Sequence, residues 1–240
     1  MSFAQDEWRV KNQLASDWMH QGIDLLNESS AASLERAVRC FDQAIALRLQ
    51  LPWAENPFLR YGLSAGWINR GDALARREGG DFLSEAVQSY DEALVLLKTL
   101  PLEENPLYPR RLAIAWSNRG TALQKQSAYG VEEAAACFRS AIGVLEQPAA
   151  LAIADLLSLQ AGAWLNLAGV LAYAGEAISG EARLPARKAL ALAKAAELTE
   201  RVLAETALKA RLSRRWRWQK SSADGSGSKR RWERISVALL

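Results

Sequence analysis

The pattern of apolar and polar positions predicts a chain built almost entirely of amphipathic α-helices. Apolar residues recur at steps of three and four, which places them on one face of a helix. Asp81 is suited to cap the start of one such helix, and Leu100-Pro101 closes it because proline cannot continue a helix. A turn at Gly79-Gly80 precedes it. Its apolar stripe consists of Ala86, Tyr90, Ala93, Leu94 and Leu97.

The helical segments also repeat, first at a spacing of 49 residues and then of 48. The first helix of each repeat carries a tryptophan, at Trp18, Trp67, Trp116 and Trp164. A small residue follows four positions later, at Gly22, Gly71, Gly120 and Ala168. The second helices repeat in the same register, as "LERAVRCFDQAI", "LSEAVQSYDEAL" and "VEEAAACFRSAI", and so do the linkers "LPWAENP" and "LPLEENP". Because one helix pair cannot bury its apolar stripe alone, we expect the pairs to stack.

This motif resembles the tetratricopeptide (TPR) repeat over roughly residues 15–175. In this chain it reads Trp67, Gly71, Leu74, Ala86, Tyr90 and Ala93, and then Trp116, Gly120, Leu123, Ala134, Phe138 and Ala141. This chain departs from the family in two features. The family repeat is about 34 residues long, whereas the repeat of this chain is 49 and then 48 residues long. The family usually has leucine where this chain has Arg70 and Arg119. The resemblance implies an all-α fold, a right-handed α-solenoid of stacked antiparallel helix pairs.

The small residues predict a close crossing of the two helices of each pair. Glycine or alanine on the first helix, facing alanine on the second, lets the backbones approach, and the aromatic side chains fill the surrounding space. This structural role for the tryptophans is favoured over an aromatic ligand box.

One position of each first helix points away from its partner helix. Asn69 lies two residues from both Trp67 and Gly71, which is about 200° around the helix. Asn118 and Asn166 hold the equivalent places. An amide both donates and accepts hydrogen bonds, which suits the backbone of an extended peptide. First helices line the concave surface of TPR proteins, so the resemblance implies that these amides line a peptide-binding groove.

Neighbours on the same face would set the side-chain preference of the groove: Asp72, Arg76, Thr121, Lys125 and Tyr173. The alternative is that the asparagines lie on a solvated face or tie adjacent helices together. A groove of the carboxylate-clamp type needs lysine directly after the tryptophan position of its first repeat. Other residues stand there, namely Met19, Ile68 and Ser117. Recognition of a chaperone's C-terminal carboxylate is therefore disfavoured.

Composition narrows the class of protein further. Half of the residues are apolar and 24% are charged, which is typical of a folded, soluble chain. The two cysteines, Cys40 and Cys137, lie two repeats apart, too far for a disulfide, and predict a reducing compartment. The start "MSFAQDEWRVKNQ" lacks the basic and apolar regions of a signal peptide. We therefore expect a cytoplasmic protein.

The sequence does not carry the usual signatures of catalysis or metal binding. It has a single histidine, His20, and no glycine-rich phosphate loop. No carboxylates are paired for acid–base chemistry. We therefore predict a protein that is not an enzyme, with no metal, no cofactor and no small-molecule substrate.

The end of the chain is strongly basic, with ten basic and two acidic residues between Lys209 and Arg234. Arginine and tryptophan alternate there, at Arg214, Arg215, Trp216, Arg217, Trp218, Arg230, Arg231 and Trp232. Such residues can bind nucleic acid or an anionic membrane surface, or form a solvated tail that docks on the rest of the chain, which is net acidic. The uncharged segment 156–175 is long enough to span a bilayer. Its repeat register favours a buried helix instead, so a membrane partner is not expected.

These features predict three regions: an N-terminal lead-in (1–14), a TPR-like helical repeat domain of about four pairs whose last helix caps the stack (15–212), and a basic, partly flexible tail (213–240). The predicted function is a non-catalytic scaffold that binds an extended peptide segment of another protein. One alternative is a nucleic-acid-associated factor that binds through the tail. Another is self-assembly through exposed solenoid ends.

Overall fold

The computed structural model describes residues 3–78, 81–126, 130–147, 154–173 and 185–188. Most of these residues lie in α-helices, and none of them lies in a strand. The chain divides into two compact units, residues 1–126 and residues 127–240. The first unit contains α1 (Phe3–Glu28), α2 (Ala31–Leu49), α3 (Pro57–Arg76), α4 (Phe82–Leu97) and α5 (Leu107–Gln126). The second contains α6 (Val131–Leu145) and α7 (Ala154–Tyr173).

Within each unit, helices that follow one another in sequence pack side by side. In the first unit α1 packs on α2, α2 on α3, α3 on α4, and α4 on α5. The first helices of the repeats also touch one another, since α1 contacts α3 and α3 contacts α5. Thus α1, α3 and α5 form one layer, and α2 and α4 lie against it in the other. In the second unit α6 packs on α7. The predicted all-α, solenoid-like stacking of helix pairs is confirmed.

The repeated Asn-Pro linker starts the first helices. The Asn56 side chain accepts hydrogen bonds from the backbone N–H groups of Phe58 and Leu59, at 3.0 and 3.4 Å. Pro57 follows as the first helical residue, where the missing N–H of proline costs nothing. Asn105 accepts from the backbone N–H of Leu107 in the same way, at 3.0 Å. The Asn-Pro linker therefore marks the start of both α3 and α5.

The predicted ends of α4 are correct in position. Asp81 occupies the N-cap place, but its side chain makes no capping hydrogen bond. The helix ends at Leu97, before Leu100-Pro101. The Gly79-Gly80 turn lies outside the described residues.

The two helices of a pair cross closely at glycine. A Cβ atom added to Gly71 would lie 2.7 Å from the Tyr90 ring, and one added to Gly22 would lie 2.5 Å from the Phe41 ring. Both rings are buried. The nearest neighbours of the glycine are therefore atoms of the aromatic ring, where the sequence predicted alanine. Trp67 is partly buried against the core cluster that includes Leu63, which fits the structural role predicted for the tryptophans.

Two further predictions concern the thiols and the uncharged segment. Cys40 and Cys137 are both buried, and they are thiols rather than the two halves of a disulfide. Most of the uncharged segment forms α7, whose side chains such as Leu167 and Val170 are buried. Within the described ranges, no helix combines the length and apolar character that crossing a membrane requires.

Candidate functional site

Asp72 is the centre of a polar cluster that joins three helices. Its carboxylate, on α3, accepts a hydrogen bond from the Tyr90 hydroxyl on α4 at 2.7 Å. It also accepts one from the Asn118 amide on α5 at 2.8 Å. Burial raises the pKa of Asp72, and the two hydrogen bonds and the charges of Arg76 and Lys125 oppose that rise. The structure therefore brings four of the predicted groove residues together: Asp72, Arg76, Asn118 and Lys125.

Asn118 acts as a tie between successive repeats. It is half-buried, and one of its N–H groups is used in the bond to Asp72. At this position the structure shows the helix-tying contact that the sequence left open as an alternative to a peptide contact. Asn118 thus helps to fix the spacing between α3 and α5.

Asn69 lies at the equivalent place on α3 but has no such partner. Repeat register assigns the place of Asp72 on the preceding helix to Ile23, whose side chain cannot accept a hydrogen bond. Asn69 is half-buried, and its side chain makes no hydrogen bond within the described part of the chain. Ile23 is 37% exposed. An amide with unused donors and acceptor is therefore held on the layer of first helices.

Arg76 and Lys125 extend this layer toward the carboxyl ends of the helices. Arg76 donates to the backbone carbonyl of Leu26 at 3.2 Å, and Lys125 donates to that of Ala75 at 3.5 Å. Both acceptors lie in the last turn of the preceding first helix, where carbonyl groups have no partner within the helix. Both cations remain exposed. Each one caps the helix of the previous repeat.

The remaining predicted residues are more dispersed. The Thr121 hydroxyl donates to the carbonyl of Ser117 on its own helix at 3.0 Å. Asn166 is half-buried on α7, in the second unit. Tyr173 is the last residue of α7, and its side chain lies outside the described part of the structure, as do all residues of the basic tail.

Arg70 and Arg119, which depart from the TPR pattern, form ion pairs between repeats. The Nε atom of Arg70 lies 2.7 Å from a carboxylate oxygen of Asp42, and that of Arg119 lies 2.7 Å from one of Asp91. The sequence held a signal for this pairing, because both partners change together in the last repeat. There, Leu167 takes the arginine place and Arg139 takes the aspartate place.

A second polar group that sequence reasoning missed lies near the start of α3. Arg48, on α2, is 8% exposed, and its guanidinium donates to the carbonyl of Gly62 at 2.5 Å. Arg111, on α5, donates to the carbonyl of Tyr61 at 2.8 Å, and its guanidinium lies 3.5 Å from the centre of the Tyr61 ring. Burial lowers the pKa of Arg48, and the charge of Arg111 lowers it further. We refer to Arg48 and Arg111 as the arginine pair.

The described side chains contain no cluster of three or more histidine, cysteine, aspartate or glutamate residues that could hold a metal ion. A comparison with protein-family models found no match, and a comparison with curated proteins found none either. Membership of the TPR family therefore stays a prediction.

Proposed function

We propose that the protein is a non-catalytic, TPR-like interaction scaffold of the cytoplasm, which binds an extended peptide segment of another protein. The binding surface is the layer formed by α1, α3 and α5. The observation that carries this proposal is the Asn69 amide, which is half-buried, held on a helix and unused by the described residues. Such a group can bond to a peptide backbone with little loss of side-chain freedom.

The surroundings of Asn69 suit a peptide. Ala65 lies one turn earlier on the same face, and its small side chain leaves room for a backbone. The partly exposed Ile23 offers an apolar contact. Arg76 and Lys125 add positive charge farther along the layer. The peptide would therefore contact a surface that is polar at Asn69 and apolar at the neighbouring Ile23.

Several predicted groove residues acquire a different role in this proposal. Asp72 and Asn118 bond to each other, and Arg76 and Lys125 cap neighbouring helices. These contacts hold the first helices at a fixed spacing, which pre-organises the surface. Direct contact with the peptide then falls mainly on Asn69.

The test is a peptide display selection on the full-length protein, followed by affinity measurements on variants. Asn69→Ala should weaken binding of the selected peptides by about tenfold, the effect of roughly 1.4 kcal/mol of lost hydrogen bonding. Its melting temperature should stay unchanged, because the amide makes no hydrogen bond to the described part of the chain.

Asn27→Ala is the matched control, since it removes the same side chain from an exposed position on α1. It should alter neither affinity nor stability. Equal affinity of the wild-type protein and Asn69→Ala for every selected peptide would remove the basis for the groove.

The alternative function, nucleic-acid binding through the tail, has a separate test. The Arg/Trp-rich residues of the tail lie outside the described residues. Removal of residues 213–240 should abolish RNA and DNA binding if that alternative is correct, and peptide binding by the helical body should then be absent.

A further inference from the structure

The arginine pair differs from Arg70 and Arg119 in having no acidic partner among the described residues. Arg70 and Arg119 each pair with an aspartate at 2.7 Å. Arg48 and Arg111 instead donate to backbone carbonyls, and neither forms an ion pair within the described ranges. The Nε atom of Arg48 is buried without any hydrogen-bond partner among those residues. The two guanidinium groups thus donate to the carbonyls of adjacent residues of α3, Gly62 and Tyr61, with no carboxylate of the described chain to offset their charge.

This arrangement is not required by the fold. Repeat register places leucine at the positions equivalent to Arg48, namely Leu97 and Leu145, and both leucines are buried. An apolar side chain therefore satisfies the same place in two other repeats. A buried charge without a counterion is destabilising, because its lost hydration is not replaced. An anion from outside the described chain would supply the missing counter-charge and so account for the two arginines.

The surface near the pair is open to such an anion. Arg111 is half-buried and lies over the ring of Tyr61, which is itself half-buried. Gly62 has no side chain, and the Arg48 guanidinium lies 3.6 Å from where its Cβ would be. Arg111 is therefore the more exposed of the two groups, and Arg48 is the more deeply buried. Low solvent exposure weakens the screening of both charges.

Arg111 lies over Tyr61, which shares the side of α3 that carries Asn69. Tyr61, Ala65 and Asn69 follow one another at four-residue steps, so they share one side of α3. Eight residues of helix span about 12 Å. An extended peptide covers that distance with about four residues.

We propose that Arg48 and Arg111 form a binding site for an oxyanion, a side-chain carboxylate or a phosphate, carried by the extended peptide. This inference rests on the proposed function. Guanidinium groups match both anions, because their planar donors can bind two oxygens at once. The exposed Phe58 and Leu107 lie one turn before Tyr61 and Arg111 and offer apolar contacts beside the anion. The bound segment therefore carries an acidic or phosphorylated residue about four positions from the one at Asn69, next to an apolar residue.

The first arm of the test uses inorganic phosphate as the probe and the full-length protein. Thermal unfolding is compared in phosphate and in chloride at equal ionic strength. Phosphate should raise the melting temperature of the wild-type protein and should not raise that of Arg48→Leu or Arg111→Gln. Arg39→Gln is the control, because it removes the same charge from an exposed position of α2. It should respond to phosphate as the wild type does.

The same arm separates binding from a structural role. In chloride, Arg48→Leu should melt at a higher temperature than the wild type, because it replaces an uncompensated buried charge by the side chain of the other repeats. A lower melting temperature of Arg48→Leu, together with an undiminished phosphate effect, would show that the pair serves the fold and would overturn the proposal.

The second arm uses the peptides selected by display. Arg48→Leu and Arg111→Gln should each weaken binding of acidic peptides at least tenfold. Changing the acidic residue of the peptide, for example Glu, to Gln should weaken its binding to the wild-type protein by the same factor. Binding of a peptide with phosphoserine at that place then shows whether phosphate is preferred to carboxylate.

The outcomes distinguish the two proposals. If no peptide binds the wild-type protein, the proposed function fails, while the phosphate arm still tests the site. If peptides bind but both variants and the Gln peptide retain full affinity, the oxyanion site is refuted and the groove stands.

Discussion

Substitution of Gly71 by alanine tests the close helix crossing on which the stacked pairs depend. The added Cβ would lie 2.7 Å from the nearest atom of the Tyr90 ring, and two further ring atoms would lie within 3.0 Å. The ring cannot move aside easily, because Tyr90 is 1% exposed and its hydroxyl donates to Asp72. Either α3 and α4 must separate, or the bond to Asp72 must stretch.

The magnitude follows from two opposing terms. Overpacking of a tight core typically costs about 1–3 kcal/mol. Alanine is also a better helix former than glycine by about 1 kcal/mol, which offsets part of that cost. Gly143 isolates the second term, because a Cβ there meets nothing within 4 Å. The difference between the two alanine variants should therefore equal the overpacking cost, about 1–3 kcal/mol.

The measurement is urea unfolding of both variants beside the wild type, monitored by circular dichroism. Gly143→Ala should be slightly stabilising, by up to about 1 kcal/mol, and Gly71→Ala should be less stable than Gly143→Ala. If the two substitutions stabilise equally, the ring does not constrain the crossing, and the packing argument for the repeat motif is wrong.

Two further predictions concern the polar cluster and the ion pairs. Burial raises the pKa of Asp72 in the folded state. The Asp72 carboxyl therefore binds a proton more tightly in the folded state than in the unfolded state, where the pKa of aspartate is about 3.9. Lowering the pH from 7 toward 4 should therefore raise the unfolding free energy of the wild type relative to Asp72→Asn; a pH-independent difference would contradict this. A double-mutant cycle on Arg119 and Asp91 should give a coupling of about 0.5–1 kcal/mol, since both side chains are partly exposed. Zero coupling in low salt would show that the ion pair between Arg119 and Asp91 does not stabilise the contact between repeats.

The sequence predicted the helices and their stacking well, because these follow from short-range patterns. The steps of three and four mark the buried faces, and the spacing from Trp67 to Trp116 marks the repeats. The close crossing at Gly71 was predicted as well, because a small residue recurs in a fixed register on each first helix, but the sequence analysis expected alanine opposite the glycine, where the structure has the Tyr90 ring. The Asn-Pro linkers showed where the helices begin.

The polar contacts were harder to predict, because they depend on which side chains meet across different repeats. Asn69 and Asn118 occupy the same register, yet of these two only Asn118 bonds to a carboxylate of the described chain. The difference comes from Ile23 standing where α3 has Asp72. Arg48 was missed although its equivalents are leucines. A charged residue inside an otherwise apolar register is the signal that would have revealed it.

Capping of one helix by a cation from the next repeat gives the array a direction. Arg76 donates to one carbonyl group at the end of α1, and Lys125 donates to one at the end of α3. Taking a repeat away from the carboxyl side would uncover a carbonyl group that its cation had capped, whereas shortening from the amino side would remove the carbonyl group and leave the cation in water. For the cap at their carboxyl ends, α1 and α3 therefore depend on the first helix of the next repeat, which is α3 for α1 and α5 for α3.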